Sequence, residues 1–411
     1  MLKICMVEAC KKQDRGSIGA FYIRYHAELA GYQVDVLDNT ANGYDVELIS
    51  IHHASNFYDL ANMRKRAKWR IVGGHPMQNN PLPAIPLADV ICIGEGESWI
   101  KSALKIIDDT KDIQGLSILP GTIICKDWKP DNKLPATNIE NPLPDNPPYL
   151  NHADTGSKAW YLEMARGCPY ACHYCELGHS TTYRAYKKEH LMIMIDKLDM
   201  KMTRKINFYA PDEASHPDYQ ELYDSLYTKG FSAQFSSMRI DSILKNPPQI
   251  KQSHLIRVGI DGLTERLRFA VNKKITDDMI IDYFKFFVDK GHVNFKIFMI
   301  IGYPNENMAD FDEFEGVVQR VFSIPLHKNV MLRFKFTPLI PQPCTPLKNA
   351  VTTYNYEKFV RIRMFFAKYG KPRKEPGFWI TDDGLMMPKS HKKQIEITNA
   401  NENYFEKYKI W

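Results

Sequence analysis

Two runs of alternating strand and helix patterns, separated by a proline-rich break, constrain this chain more than any other feature. From residue 1 to about 112, LKICMVEA, QVDVLDN, DVELISIHH, WRIVGG and DVICIGEG are short apolar runs with Val and Ile that end in polar or glycine turns. Between them SIGAFYIRYHAELA, NFYDLANMRKRAK and ESWIKSALKIIDD repeat apolar residues at helical spacing. Apolar strands that recur with helices between them belong to a parallel sheet covered on both faces. The first run therefore predicts an α/β, doubly wound, Rossmann-like domain over 1–127. Such sheets bind ligands beyond the carboxyl ends of their strands, which here carry Ser50, Gly73, Gly74, Gly94 and Gly96.

Residues 128–149 hold six prolines among Asn and Asp, which predicts a linker over 128–150. Beyond it KAWYLEMAR, KINFYAP, SAQFSSM, LIRVGID, FKIFMIIG and MLRFKFTPL read as strands with helix-like stretches between them. Six such units fall short of the eight of a complete barrel, so 151–347 reads as a partial (βα)6 barrel with its chemistry at the carboxyl strand ends. Residues 348–411 read as a C-terminal extension capping that mouth, with Arg373, Lys374, Trp379 and His391 toward it.

Bulk properties narrow the classes. At 411 residues, 44% hydrophobic and 25% charged, the chain has material for more than one core. No apolar run reaches the 18 or so residues of a membrane span, and the N-terminus lacks the pattern of a signal peptide. Five of the eight cysteines (Cys5, Cys10, Cys92, Cys125, Cys344) are scattered singly, which reads as buried small hydrophobes in a reducing cytoplasm. The net charge is a modest +6, with twelve basic against seven acidic residues after residue 350, the pattern of a solvated helix face.

The other three cysteines stand in RGCPYACHYC, residues 166–175, immediately after the first barrel strand. Cys168, Cys172 and Cys175 are spaced C-x3-C-x2-C. Two readings compete. A zinc site needs a fourth ligand, for which His179 is spaced suitably and His173 is near. A four-iron cluster takes three thiolates and leaves one iron open for chemistry. Zinc ribbons occupy small hairpins, whereas this loop lies at the catalytic rim of a barrel, which favours the cluster.

This loop, with Tyr174 just before its last cysteine, resembles the radical S-adenosylmethionine superfamily. The resemblance implies a 4Fe-4S cluster on Cys168, Cys172 and Cys175. It also implies S-adenosylmethionine on the open iron, reductive release of a 5'-deoxyadenosyl radical, and an electron donor such as flavodoxin or ferredoxin. Along the barrel, FYAPDEAS resembles the polar contact to the cofactor's amino group, implicating Asp212 and Glu213. SSMRID resembles the contact to its carboxylate, implicating Arg239 and Ser237. VGIDG resembles a stretch that usually carries Glu where Asp261 stands, and IIGYPNEN resembles the loop near the adenine, with Gly302, Tyr303, Pro304 and Asn307.

A Rossmann-like domain ahead of such a barrel resembles the cobalamin-binding subclass, most closely over residues 70–100. That implies a corrin lying across the strand ends, with Gly73, Gly74, Gly94 and Gly96 giving it room. The subclass's Asp-x-His-x-x-Gly has no counterpart in ACKKQDRGSIG, which has Asp14 but no histidine; His52, His53 and His75 lie at other strand ends. Methylthiotransferases share this domain order, and RFKFTPLIPQPCTPL resembles the end of their barrel. Cys10 and Cys92, with no cysteine between them, do not supply their second cluster. The expected function is cobalamin-dependent methyl transfer to an unactivated carbon of a small-molecule or peptide substrate. The alternatives are a cobalamin-free radical rearrangement, dehydrogenation or cyclisation, and a zinc module that recognises nucleic acid through the basic tail.

Overall fold

The computed structural model describes residues 2–9, 17–37, 42–140, 143, 159–234, 238–247, 255–325, 330–370, 378–385 and 388–405. The chain divides into two units, Met1–Ser157 with Lys393–Trp411, and Lys158–Lys392.

In the first unit, strands β1 (Ile4–Glu8), β2 (Val34–Val36), β3 (Tyr44–Ser50), β4 (Ala67–Gly73), β5 (Val90–Cys92) and β6 (Thr122–Ile124) form one sheet of order β2-β1-β3-β4-β5-β6. Five strands run parallel and β6 closes the edge antiparallel to β5. Successive side chains of a strand face opposite ways, and both ways are apolar. Ile4 and Met6 join one buried cluster with Val46, Leu48 and the helix residues Trp99 and Ile100, while Val7 joins another with Ile49, Val72 and Phe57. This is the expected doubly wound sheet. Its helix Ile18–Leu29 begins where Ser17 Oγ accepts the Ala20 N–H at 3.1 Å. The strand order reverses between β1 and β3, the point at which ligands of such sheets collect.

Part of the proline-rich segment is bound to this sheet. Asn138 takes the N–H of Glu95 at 2.9 Å and gives its own to Ile93 at 2.9 Å, so the chain lies along the end of β5. Residues 393–405 also belong here: Ile397, Ala400, Tyr404 and Phe405 complete the second buried cluster.

The second unit begins with β7 (Trp160–Glu163). Next come the short antiparallel pair β8 (Ala165–Arg166) and β9 (Arg184–Ala185), then β10 (Lys205–Tyr209) and β11 (Ser232–Gln234). β12 (Ile256–Gly259), β13 (Asn294–Ile301), β14 (Val330–Pro338) and β15 (Phe378–Leu385) follow. The main strands run parallel in the orders β11-β10-β7 and β12-β13-β14-β15, and a parallel bridge from Met238 to Val258 links the two sheets. All six expected strands are present in chain order, and β15 adds a seventh. Segment 348–411 is therefore divided between roles: the helix Tyr356–Tyr369 sets Phe365 and Phe366 against Phe334 and Phe336 of β14, β15 extends the sheet, and the end joins the first unit. The apolar residues Ile362, Phe365 and Phe366 of that helix are its buried face. Among the described residues no helix is long and apolar enough to cross a membrane.

Candidate functional site

β8 and β9 pinch together the ends of a loop over 167–183, and that loop carries the three cysteines. Gly167 has φ +68°, and a Cβ there would lie 2.5 Å from the carbonyl oxygens of Thr181 and Thr182, so only glycine lets the loop leave β8. Gly178 meets a similar demand at Tyr170, whose carbonyl oxygen a Cβ would meet at 1.9 Å. The outside of the loop is anchored by backbone: His173 N–H donates to Val271 O at 2.9 Å, Asn272 Nδ2 to Ala171 O at 3.0 Å and Leu347 N–H to His173 O at 3.3 Å.

Cys172 is buried, while Cys168 and Cys175 are partly so. Burial raises the Cys168 thiol and pushes Cys175 up to about 12, and in each the neighbouring cysteines add to the rise. Arg239 lowers the Cys168 thiol without offsetting that rise; a bound iron centre would supply the charge that converts the thiols to thiolate ligands. Among the described residues no three His, Cys, Asp or Glu side chains stand at metal-holding geometry. His179, the zinc reading's fourth ligand, holds Nε2 3.1 Å from the carbonyl oxygen of Cys172.

Two buried networks grip this loop. In the first, Arg239 donates from Nη1 to Cys172 Sγ at 3.2 Å, is held by Asp241 through Nε at 2.9 Å and Nη2 at 2.8 Å, and lies 3.9 Å over the Tyr170 ring. Asp212 accepts the Arg239 N–H at 3.1 Å and the Ser242 hydroxyl at 2.6 Å, and Ser242 lies 2.6 Å from the Tyr170 hydroxyl. Burial, against these bonds, leaves the Asp212 carboxyl raised. Arg239 thus reaches a cysteine directly.

In the second, Asp261 holds φ +57° and accepts from Tyr174 Oη at 2.8 Å and from the buried ammonium of Lys273, which also donates to Gly259 O at 2.7 Å. Tyr303 Oη donates to the Asp261 carbonyl at 2.7 Å, and desolvation drives both tyrosine hydroxyls well upward. Gly302, at φ +83°, donates its N–H to Glu306 at 2.7 Å, and Glu306 pairs with buried Lys358 at 2.9 Å. Asp212, Arg239, Asp261, Gly302 and Tyr303 are thereby tied to the loop's surroundings.

Other expected residues lie elsewhere. Glu213 is fully buried and takes the hydroxyl of Tyr223, so its carboxylate is engaged inside the unit. Pro304 is exposed, and Asn307 is exposed with its Oδ1 accepting the Ala309 N–H at 2.9 Å just before the helix Ala309–Phe322. Ser237 lies outside the described residues, as do Asp14, Arg373 and Lys374. Tyr170, Ser242, Lys273 and Gly178 were not anticipated; a lysine twelve residues after Asp261 carries no local signal of its partner.

At the strand ends of the first unit, three of the four glycines expected to make room for a ligand pack against the chain itself. Gly74 (φ +119°) would set a Cβ 2.1 Å from Ile51 O, Gly94 (φ +109°) 2.1 Å from Asn138 O, and Gly96 2.5 Å from Ile23 Cδ1. Gly73 alone of the four has only ordinary contacts, at 3.8 Å or beyond. At the reversal point between β1 and β3, His52 Nε2 lies 2.9 Å from Glu8 Oε2, and the His52 and His53 N–H groups donate to Asn56 Oδ1 at 3.2 and 2.9 Å.

The profile of the Radical SAM superfamily matches residues 162–316, the stretch that contains the cysteine loop and both networks. The chain therefore carries a radical S-adenosylmethionine domain. Among particular relatives, it is 24% identical over 335 residues to bacteriochlorophyllide d C-8(2)-methyltransferase of Chlorobaculum tepidum, covering 69% of this chain and 72% of that one. It is 23% identical over 326 residues to an uncharacterized protein of Methanocaldococcus jannaschii, covering 76% and 70%. Its fold is similar to that of TsrM, a radical S-adenosylmethionine methyltransferase of Kitasatospora setae solved with cobalamin and a [4Fe-4S] cluster. That match has a TM-score of 0.61 at 12% identity over 84% of this chain and 74% of TsrM. It is also similar to that of OxsB, a cobalamin-dependent S-adenosylmethionine radical enzyme solved with aqua-cobalamin and S-adenosylmethionine, with a TM-score of 0.61 at 14% identity over 90% of this chain and 56% of OxsB.

Proposed function

We propose that this protein is a cobalamin-dependent radical S-adenosylmethionine enzyme that transfers a methyl group to an unactivated carbon. The observation that carries the radical part is the three-cysteine loop gripped by Arg239 and, through Tyr174, by Asp261. The methyltransferase names and bound cobalamin of the similar proteins support the finer part. When bound, the cluster supplies reductive cleavage of S-adenosylmethionine and cobalamin supplies the methyl group. The chain's own residues do the rest. Cys168, Cys172 and Cys175 hold iron; Arg239, fixed by Asp241 and Asp212, offsets thiolate charge at Cys172; Asp261 and Lys273 lock the Tyr174 ring beside the last ligand. Burial of Cys172, and partial burial of Cys168 and Cys175, limits the water that reaches the thiolates. A small one-electron donor of the flavodoxin or ferredoxin kind delivers the electron.

The filled glycines of the first unit favour a second reading, a radical enzyme without cobalamin. Anaerobic purification with iron, sulfide and hydroxocobalamin separates them. About four irons per chain with one corrin supports methyl transfer. Four irons without corrin moves the assignment to the second reading, and zinc without iron overturns both. Serine at Cys168, Cys172 or Cys175 is expected to remove the iron.

A further inference from the structure

Three segments of the second unit meet at the outer side of the cysteine loop. His173 N–H donates to Val271 O at 2.9 Å, Asn272 Nδ2 to Ala171 O at 3.0 Å and Leu347 N–H to His173 O at 3.3 Å, which joins residues 169–173, 266–274 and 346–350 to one another. Pro169 and Ala171 of the loop, Phe269 and Ala270 at the end of the helix Glu265–Ala270, and Pro346 are exposed there. Phe269 is a large aromatic that keeps 36% of its surface exposed. Buried Cys172 directly follows exposed Ala171, so this surface lies one residue from a cysteine that holds iron in the radical-enzyme reading.

The same three segments carry five basic residues, Arg266, Arg268, Lys273, Lys274 and Lys348, and no acidic one. Two of the five act internally: Arg268 is buried against Asp277 and Lys273 against Asp261. Arg266 reaches buried Asp310 at 2.6 Å while half of its side chain faces solvent. Lys274 is exposed and fixed at the apolar centre, with Nζ 3.2 Å from the Phe269 carbonyl oxygen and 4.8 Å from the Phe269 ring. Lys348 is exposed on the third segment, next to the Leu347 that bonds His173. Glu176, the carboxylate of the loop itself, is half-buried and raises the Cys344 thiol. An apolar centre with a cationic rim is the arrangement of a small, transient interface steered by charge.

We propose that this surface docks an acidic flavoprotein of the flavodoxin kind, which delivers the electron to the cluster. Its role rests on the radical-enzyme reading. Tunnelling falls off exponentially with distance, so a protein donor must seat its cofactor close to the iron, and here the loop comes within one residue of solvent. Arg266, Lys274 and Lys348 draw an acidic partner and set its orientation. The apolar centre selects between carriers. A flavin can lay the apolar edge of its ring against Phe269 and Ala171, whereas an iron–sulfur cluster is wrapped in backbone and cysteine. In the transfer the flavin hydroquinone anion gives up one electron and becomes the neutral semiquinone; the cluster takes that electron, and no proton moves.

The test is anaerobic stopped-flow mixing of the full-length, reconstituted protein with photoreduced flavodoxin, reading the appearance of the semiquinone. The unaltered protein is expected to react at a rate that falls as salt is raised. The double variant Lys274→Glu with Lys348→Glu is expected to react about tenfold or more slowly, and Phe269→Ala about fivefold or more slowly, with iron content unchanged in both. Should the double variant lose iron, Lys348→Glu alone decides, with a slowing of about threefold expected. Lys290→Glu, at an exposed residue just past the far end of the helix Asp277–Asp289, controls for net charge. Reduced methyl viologen, a small cation that needs no docking surface, controls for the cluster itself. An acidic two-iron ferredoxin is expected to be the slower donor and indifferent to Phe269→Ala. The proposal is overturned if the charge variants slow no more than Lys290→Glu, if salt has no effect, or if ferredoxin matches flavodoxin in rate and in sensitivity to Phe269→Ala. A cluster that methyl viologen reduces, but that flavodoxin reaches equally fast in every variant, sinks this surface alone; protein that holds no iron sinks the radical reading and this surface with it.

Discussion

Gly74 and Asp261 each follow a parallel strand and each hold a positive φ, +119° and +57°, but for opposite reasons. At Gly74 the absence of a side chain is what matters, because the Ile51 carbonyl occupies the space that a Cβ would need. At Asp261 the side chain is what matters: an L-residue is kept in a costly conformation because Tyr174 and Lys273 both require its carboxylate. Gly74 therefore reports how closely the chain packs on itself, whereas Asp261 reports the partners that use its carboxylate.

The largest expected effect tests the second half of that contrast. Asp261→Ala leaves the buried Lys273 ammonium without its partner and is expected to cost about 3–5 kcal/mol, read from the urea midpoint. Asp261→Asn keeps an acceptor for Tyr174 and tolerates the same backbone, so it is expected to lose less. Equal losses would assign the whole effect to charge. The next effect tests the first half. Gly94→Ala drives a Cβ into Asn138 and is expected to cost about 2 kcal/mol or more, whereas Gly73→Ala should stay within about 0.5 kcal/mol. If Gly73→Ala nevertheless lowers corrin retention at unchanged stability, a ligand approaches that rim and the contrast fails there.

The smallest effect concerns pH. His216 is buried beside the first network, with Nδ1 accepting the Asp218 N–H at 3.1 Å and Nε2 2.9 Å from Tyr186 O, and desolvation holds its pKa below the usual 6.5. The unfolded chain then takes up the proton first as pH falls. This contribution is intact above about pH 6.5 and declines below it. His216→Gln is expected to flatten the fall in urea midpoint between pH 7 and 5; an unchanged profile would remove His216 from the account.

The parts of the molecule that could be read from the chain are those whose causes are local. β1 to β5 and the six expected strands of the second unit announce themselves as Val- and Ile-rich or alternating runs, and the cysteine loop announces itself by spacing. Arg239 and Asp261 could be picked out through the resemblance of SSMRID and VGIDG to the family's stretches, not from their own local pattern. What local pattern hides is partnership. FWITDDGL holds two aspartates and a glycine, and it becomes β15 because β14 offers an edge, with a bulge at Phe334/Lys335 absorbing the misfit. Asn138 sits in a proline-rich stretch that looks unattached until Ile93 and Glu95 bind it. Glu213 looks like a rim carboxylate until Tyr223 is found against it.

The return of residues 397–405 to the first unit also bears on the timing of synthesis. Asn80 donates to the carbonyls of Thr398 at 3.1 Å and Ala400 at 2.7 Å, and Tyr58 meets Tyr404 hydroxyl to hydroxyl at 2.5 Å. The ribosome makes the sheet of that unit first, but the aromatic residues that seal one of its faces emerge more than 250 residues after β6. A domain that would otherwise fold as it emerges must wait, with part of its apolar surface uncovered, until the second unit has been made. Until then that apolar surface stays uncovered, the condition under which an unfinished chain is open to misassembly.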